Sequence, residues 1–214
     1  MSDTTILLIR HGETAWNAVR RLQGHIDIPL SEVGRRQALA LGRALAGEQI
    51  YAIVSSDLGR ARQTAEAVVA HHGLPLQIDP SLRERAYGVF EGLLYTEIAE
   101  RYPIEFAEWQ ARDVDSIMPH GDRVAESFRQ FYERCTGAIA GWAAQWPGKT
   151  IALVAHGGVL ECAYRAANQV ALDSPRDFQV KNASINRFTV KATELSLEQW
   201  GDVAHLQTAA IDDL

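Results

Sequence analysis

Two short apolar runs in this chain end in the same way. "TILLIR" (5–10) runs into His11-Gly12, and "TIALVA" (150–155) runs into His156-Gly157-Gly158. A brief apolar run bounded by glycine reads as a strand buried on both faces, which belongs to a parallel sheet covered by helices. The neighbouring segments agree. Ser31 stands where an N-cap is needed, Glu32 to Ala46 keeps helical spacing, and Gly47 lies just past its end. "YAIVSS" (51–56) is a second strand. Asp57 is placed to cap the helix after it, in which Leu58, Ala61, Ala65, Val68 and Val69 share a face. "LPLQID" (74–79) is strand-like, a helix over 159–167 follows the second His-Gly, and "SINRFTV" (184–190) and "ELSLEQW" (194–200) read as later strands. Strands alternating with helices of this length form βαβ units, so the expected class is α/β with a mostly parallel central sheet.

One stretch breaks the alternation. From Pro80 to about Trp146 no buried strand is evident, and the pattern is mostly helical. Phe128, Phe131, Cys135, Ile139 and Trp142 mark the core face of one long helix. Ahead of it, 86–120 carries Tyr87, Phe90, Tyr95, Tyr102, Phe106 and Trp109, and reads as a helical cap inserted into a single domain spanning 1–214.

Composition narrows the function classes. The formal charge is −6 and 47% of residues are hydrophobic, which suits a substantial core and argues against a general nucleic-acid binder. No apolar run approaches a membrane span, and the N-terminus lacks the basic start of a signal peptide. Cys135 and Cys162 sit in helical, apolar surroundings and read as reduced core residues. The expectation is a soluble cytoplasmic protein with no membrane or nucleic-acid partner. An apolar patch near the sheet edge would support a homodimer.

In parallel α/β sheets, ligands bind beyond the carboxyl ends of the strands. Arg10 and His11 lie at one such end, His156 at another, and Arg60 one turn into the helix after the second strand. Helix N-termini and Gly12, Gly157 and Gly158 add free N–H groups and close backbone approach. Two arginines and two histidines around one point suit a phosphate. Arginine presents a charged planar fork, and a neutral histidine is a nucleophile that nearby cations help to keep unprotonated. Glu84, in "SLRERAYGVFEG" (81–92), follows a strand-like piece and is the preferred proton donor, ahead of Glu91 and Glu13. Arg20, Arg21, Arg35 and Arg36 read as solvated charges, and His71-His72 as a favourable charge at a helix end. No HExxH or cysteine–histidine spacing appears, so no metal site is expected.

"LLIRHGETAWN" (7–17) resembles the signature of the histidine phosphatase, or phosphoglycerate mutase-like, superfamily. "GHIDIPLSEVG" (24–34), "SSDLGRARQTAE" (55–66), "LRERAYGVFEG" (82–92) and "LVAHGGVL" (153–160) match further blocks in the expected order. The resemblance implies a three-layer α/β/α sandwich with a helical cap. It implies that His11 becomes phosphorylated, that Arg10, Arg60 and His156 complete the phosphate pocket, and that Glu84 donates the proton. Asn17 and Gly157 match positions that reach the phosphoryl group, and Gln23 and Gly24 positions on the substrate side. The family often has Gly-Glu-Ser before the long helix, whereas "HGDRVAES" (120–127) displaces Glu126-Ser127 from its glycine.

The expected activity is hydrolysis of a small phosphomonoester through a phosphohistidine, with no cofactor. The alternative is a cofactor-dependent phosphoglycerate mutase using 2,3-bisphosphoglycerate, in which Arg85, Arg101, Arg112 or Arg123 would hold a substrate carboxylate. A non-catalytic phosphate-binding scaffold ranks last, because nucleophile and acid are both present.

Overall fold

The structure, a computed structural model, describes residues 2–209. In chain order its elements are β1 (Thr4–Arg10), α1 (Ala15–Ala18), α2 (Glu32–Leu45), β2 (Ala52–Ser55), α3 (Gly59–Val69) and β3 (Leu76–Ile78). There follow α4 (Tyr95–Arg101), α5 (Pro103–Gln110), α6 (Phe128–Gln145), β4 (Thr150–Ala155), α7 (Gly157–Asn168), β5 (Ile185–Lys191), β6 (Glu194–Asp202) and α8 (Ala204–Ala209). The strands form one sheet in the order β3-β2-β4-β1-β5-β6. β3, β2, β4 and β1 run parallel, while β5 and β6 continue the sheet antiparallel.

The alternation of each central strand decides the layers. Ile6 and Leu8 of β1 join Leu153, Phe131, Cys135, Ile139 and Leu160 on the face covered by α6 and α7. Leu7 and Ile9 join Val154, Leu41, Ala61, Ala65 and Val68 on the face covered by α2 and α3. Each fully buried aliphatic side chain contributes about 1.5–3 kcal/mol of burial free energy, so a strand apolar on both faces can be stable only between two helical layers. The result is the expected α/β/α sandwich. Cys135 and Cys162 are buried and free.

The segment between β3 and α6 differs in detail from the expectation. Helix is confined to α4, α5 and single turns at 80–82 and 88–90, and residues 111–126 contain none. Pro103 disfavours helix at the preceding residue, and Tyr102 accordingly leaves helical geometry (φ −135°, ψ 57°) between α4 and α5. Leu22, Phe90, Ile98, Met118 and Ala125 give this segment its own small core, with Tyr102, Phe106 and Trp109 packed around it. Glu126 and Ser127 directly precede α6. The Ser127 hydroxyl accepts from Gln130 N–H at 3.2 Å in a capping box, so the displaced Glu-Ser pair starts the long helix.

The helix cap expected of Asp57 is a correction. Leu58 is the N-cap of α3 and no side chain of its own caps it. Instead Gly59 N–H donates to Asp27 Oδ1 at 2.7 Å, and Asp57 pairs with Arg83, whose Nε lies 2.7 Å from Oδ1. A distant carboxylate serves the helix because the nearby one has a stronger, bidentate partner.

Backbone contact fixes the turn after β1. A Cβ on Gly12 would lie 2.6 Å from Gly34 O, and one on Gly34 would lie 2.0 Å from Glu13 O. The His11–Glu13 turn therefore rests directly on the first turn of α2. Gly34→Ala should overpack this contact and cost about 1–3 kcal/mol. Gly137→Ala, at an exposed helical position with nothing within 4 Å of the added carbon, should stabilise by up to about 1 kcal/mol. Thermal denaturation of the two variants should move the midpoint in opposite directions, and equal shifts would contradict the contact.

Candidate active site

Beyond the carboxyl ends of the parallel strands lies a cavity of about 750 Å³. Arg10, His11, Asn17, Gln23, Gly24, Arg60, Glu84 and Gly157 all line it, although they come from five separate parts of the chain. His156 is packed one layer beneath, fully buried, with its ring centroid 5.2 Å from that of His11. All nine residues singled out in the sequence therefore meet at one place.

His11 Nδ1 lies 2.7 Å from Gly12 O. A carbonyl can only accept, so Nδ1 carries the proton and Nε2 carries the lone pair. Burial, then Arg60 and Arg10, hold the His11 imidazole well below its ordinary pKa, against the smaller opposing effect of the Gly12 carbonyl. The ring is neutral at neutral pH. His156 is likewise pushed well down by burial, Arg60 and His11. Its Nε2 is 2.9 Å from Ser56 Oγ, and its Nδ1 is buried without a protein partner.

The two arginines are anchored by carbonyls. Arg10 Nη1 donates to Val180 O at 2.6 Å; Arg60 donates to Ile26 O and Gly24 O at 3.0 and 2.8 Å. Nε of each is buried and unpartnered. Burial, as the largest cause, brings both guanidinium groups down to about 10, which still leaves them cationic at neutral pH. Buried polar atoms are normally paired. Unpartnered cationic donors beside a helix N-terminus therefore mark a place for an anion.

Glu84 is set at the same cavity by N–H groups. Its Oε1 accepts from Arg85 N at 2.9 Å, and its Oε2 from Gly158 N at 3.0 Å. A Cβ on Gly158 would lie 2.2 Å from Glu84 Oε1, so that position must be glycine for the carboxyl to reach α7. The Glu84 carbonyl is gripped in turn by His25 Nε2–H at 2.8 Å and by Arg134 Nη2 at 3.3 Å. The rival carboxylates do other work outside the cavity. Glu91 Oε1 accepts from His25 N and Tyr87 N, and Glu13 accepts from the Ser31 hydroxyl. Gly24 has φ +53°, and a side chain there would collide with Glu91. Asn17 uses its amide oxygen to accept Thr14 N–H at 3.0 Å, which leaves the NH₂ as the group it can offer an anion.

Some readings change. Arg21 lines the cavity half-buried rather than standing in solvent, donating to Gly92 O and lying 3.4 Å from Glu97, while Arg20 at the cavity rim is exposed as expected. Arg35 and Arg36 are exposed and pair with Glu32, as expected. His71 and His72 follow the end of α3 and do not line the cavity. The sequence reading missed Arg176 and Glu161, which do. Glu161 had a signal, since helical spacing puts it on the face of Gly157 and Gly158. Arg176 lies between α7 and β5, in a segment with no periodicity to place it.

Comparison with known proteins supplies independent findings. The family described as histidine phosphatase superfamily (branch 1) matches residues 6–203. "Phosphoglycerate mutase-like protein 4" of Arabidopsis thaliana is 37% identical over 205 residues, covering 94% of this chain and 86% of that protein. "Metal-independent phosphoserine phosphatase" of the same plant is 36% identical over 207 residues, covering 96% and 84%. The solved structure of Bacillus stearothermophilus YhfR superposes with a TM-score of 0.85 at 35% identity, covering 95% of this chain and 99% of that one.

Neutral burial of two imidazoles has a consequence for stability. The unfolded chain takes up protons below about pH 6.5, where the folded His11 and His156 do not. The unfolded state then binds more protons, so stability must fall as pH drops below 6.5, by up to about 1.4 kcal/mol per pH unit for each ring. Urea unfolding in phosphate-free buffer at pH 7.5, 6.5 and 5.5 should show this loss, and His156→Asn should reduce its slope. An unchanged slope in that variant would contradict the neutral, buried state of His156.

Proposed function

The chain belongs to branch 1 of the histidine phosphatase superfamily, and from that premise we propose that His11 is the nucleophile, Glu84 the proton donor, and Arg10, Arg60 and His156 the groups that hold the transferring phosphoryl group. The protein is an enzyme of phosphomonoester hydrolysis through a phosphohistidine. The observation that carries the residue assignment is the state of His11. Its Nδ1–H is committed to Gly12 O and the ring is held neutral, so the Nε2 lone pair is available.

In the first half, Nε2 attacks phosphorus while the bond from phosphorus to the alcohol oxygen breaks, and that oxygen takes the Glu84 proton. In the second half, the Glu84 carboxylate removes a proton from water. The water oxygen attacks phosphorus, the P–N bond breaks back onto Nε2, and inorganic phosphate leaves. Arg10, Arg60 and the N-terminus of α7 offset the charge on the equatorial oxygens throughout. With His156, an anion oxygen at Nδ1 selects the form in which Nδ1 carries the proton and the Ser56 hydroxyl donates to Nε2. Fixed guanidinium groups here supply the charge neutralisation that a metal ion supplies elsewhere, which agrees with a relative named as metal-independent.

The substrate class is a small phosphomonoester. A relative named as phosphoglycerate mutase-like keeps transfer to a second hydroxyl as the other reading. Hydrolysis is preferred because three of the four cap arginines that a mutase would use are already engaged. Arg85 donates to Glu126 O, and Arg101 and Arg123 pair with Glu97 and Glu91.

His11→Ala should lower turnover by at least about 10⁴-fold, and with it abolish an acid-labile, alkali-stable phosphoprotein in rapid-quench experiments. Glu84→Gln should lower kcat/KM, which reports formation of the phosphoenzyme, by about 10²–10⁴-fold on alkyl phosphates and far less on p-nitrophenyl phosphate, whose leaving group needs no proton. Equal losses of kcat/KM on both substrates would remove Glu84 from the acid role. Phosphate release should exceed interconversion of 2- and 3-phosphoglycerate measured with 2,3-bisphosphoglycerate present, and the reverse ratio would favour the mutase.

A further inference from the structure

A second cavity of about 500 Å³ adjoins the first and shares Tyr87, Tyr95, Gly158, Glu161 and Arg176 with it. The phosphoryl group has no need of this space, which is by itself of the size that holds a small ligand. Its walls are of two kinds. Phe106, Trp109 and Phe128 present rings, and Tyr95 stacks on Trp109 with centroids 5.5 Å apart and planes 13° apart. Arg112 and Arg176 supply cations. Arg112 Nη2 donates to Glu161 Oε1 at 3.0 Å, while Arg112 Nε is buried and unpartnered. Arg176 is held only loosely, 3.5 Å from Glu161 Oε2 and half exposed.

Charge makes this arrangement specific. Seven arginines and three carboxylates line the two chambers together, in a chain whose formal charge is −6. A phosphoryl dianion offsets half of that cationic excess. Two of the seven, Arg112 and Arg176, share the single carboxylate of Glu161 with the buried Arg165, which lines neither chamber. One carboxylate among three guanidinium groups leaves room, electrostatically, for a second anion. Arg112 also has φ +58°, a strained backbone state for a side-chain-bearing residue, at the point where it enters this chamber.

We propose that the preferred substrate spans both chambers. Its phosphoryl group sits at His11, a flat apolar or aromatic body lies along the Tyr95–Trp109 and Phe128 rings, and a terminal carboxylate is read by Arg176 and Arg112. The substrate class is thus the phosphate ester of a hydroxy acid with a ring-sized body. This rests on the hydrolase reading above and adds the identity of the leaving group. Flat bodies gain from stacking on these partly exposed rings, and the guanidinium forks match a carboxylate in the same way as they match phosphate.

The test compares benzyl phosphate, 4-carboxybenzyl phosphate and 2-phosphoglycolate. The first two differ in the carboxylate, the last two in the body. For the wild-type protein, kcat/KM should be at least about tenfold higher for 4-carboxybenzyl phosphate than for either of the others, a factor that one charged hydrogen-bonding contact supplies. In Arg176→Ala the ratio of the carboxylated to the plain benzyl ester should fall towards one. Arg112→Ala should do the same; since Arg112 also braces Glu161, the exposed Arg176 is the decisive position if that variant fails to fold. In Trp109→Leu the advantage over 2-phosphoglycolate should shrink. A wild-type ratio near one, or a ratio that survives in Arg176→Ala, would overturn the carboxylate assignment. Equal rates for 4-carboxybenzyl phosphate and 2-phosphoglycolate would overturn the ring-sized body. Both results would leave benzyl phosphate hydrolysed through the His11 phosphoenzyme, whereas loss of that phosphoenzyme would count against the parent reading instead.

Discussion

The parallel pairing of β1 with β4 is the constraint on which the site depends. Its register sets Arg10 opposite Ala155, so the next residue on each strand is a histidine. The ladder even continues one step, because His11 N–H donates to Ala155 O at 3.0 Å. Neighbouring strands lie about 4.8 Å apart, and the two imidazole centroids are 5.2 Å apart. β2 adds the third member on the other side of β4: Ser56 N–H donates to Val154 O, and its hydroxyl meets His156. A slip of one residue would turn a histidine into the opposite layer. The apolar side chains of β1, buried on both faces, oppose that slip, and so core packing holds the register of the two histidines.

The same packing supports an unfavourable arrangement. Two imidazoles kept neutral and two buried guanidinium groups with unpartnered Nε atoms all raise the free energy of the empty protein. Carbonyl partners at Val180, Gly24 and Ile26 offset part of this, and an arriving anion offsets more. The cationic donors are in place before substrate arrives, so little reorganisation remains for the reaction step. The large two-sided core supplies the stability that such a site costs.

Glu84 is placed by a different means. Glu84 belongs to an irregular segment, where no ladder sets its position. Its backbone is held by His25 from one side and by Arg134 from α6, which also binds the carbonyls of Ser81 and Arg83. Gly158 lets the carboxyl close on the start of α7. Sheet register therefore fixes His11, and side-chain clamps fix Glu84. The cap behind Glu84 has its own core around Phe90 and Ile98, and its Tyr87, Tyr95, Phe106 and Trp109 line the second chamber.

The sequence by itself determined which residues end the strands and which of them are chemically able to handle phosphate. Apolar runs of strand length followed by His-Gly admit few other folds, and the glycines at 12, 24, 157 and 158 announce close backbone approach. Local signals failed where the partner is distant. Asp57 stands beside α3 yet pairs with Arg83, while Asp27 does the capping. Arg21 looks like one more surface charge until Gly92 O and Glu97 are brought to it. Arg176 lies in a segment without periodicity, and nothing near it in sequence says that it meets Glu161. Only the tertiary structure decided these cases, and with them the tautomer of His11, the partners that place Glu84, Glu91 and Glu13, and the second chamber. The physical reason is range: periodicity, capping and turn chemistry act over a few residues, whereas an ion pair or a cavity wall depends on which distant segments the packed core brings into contact.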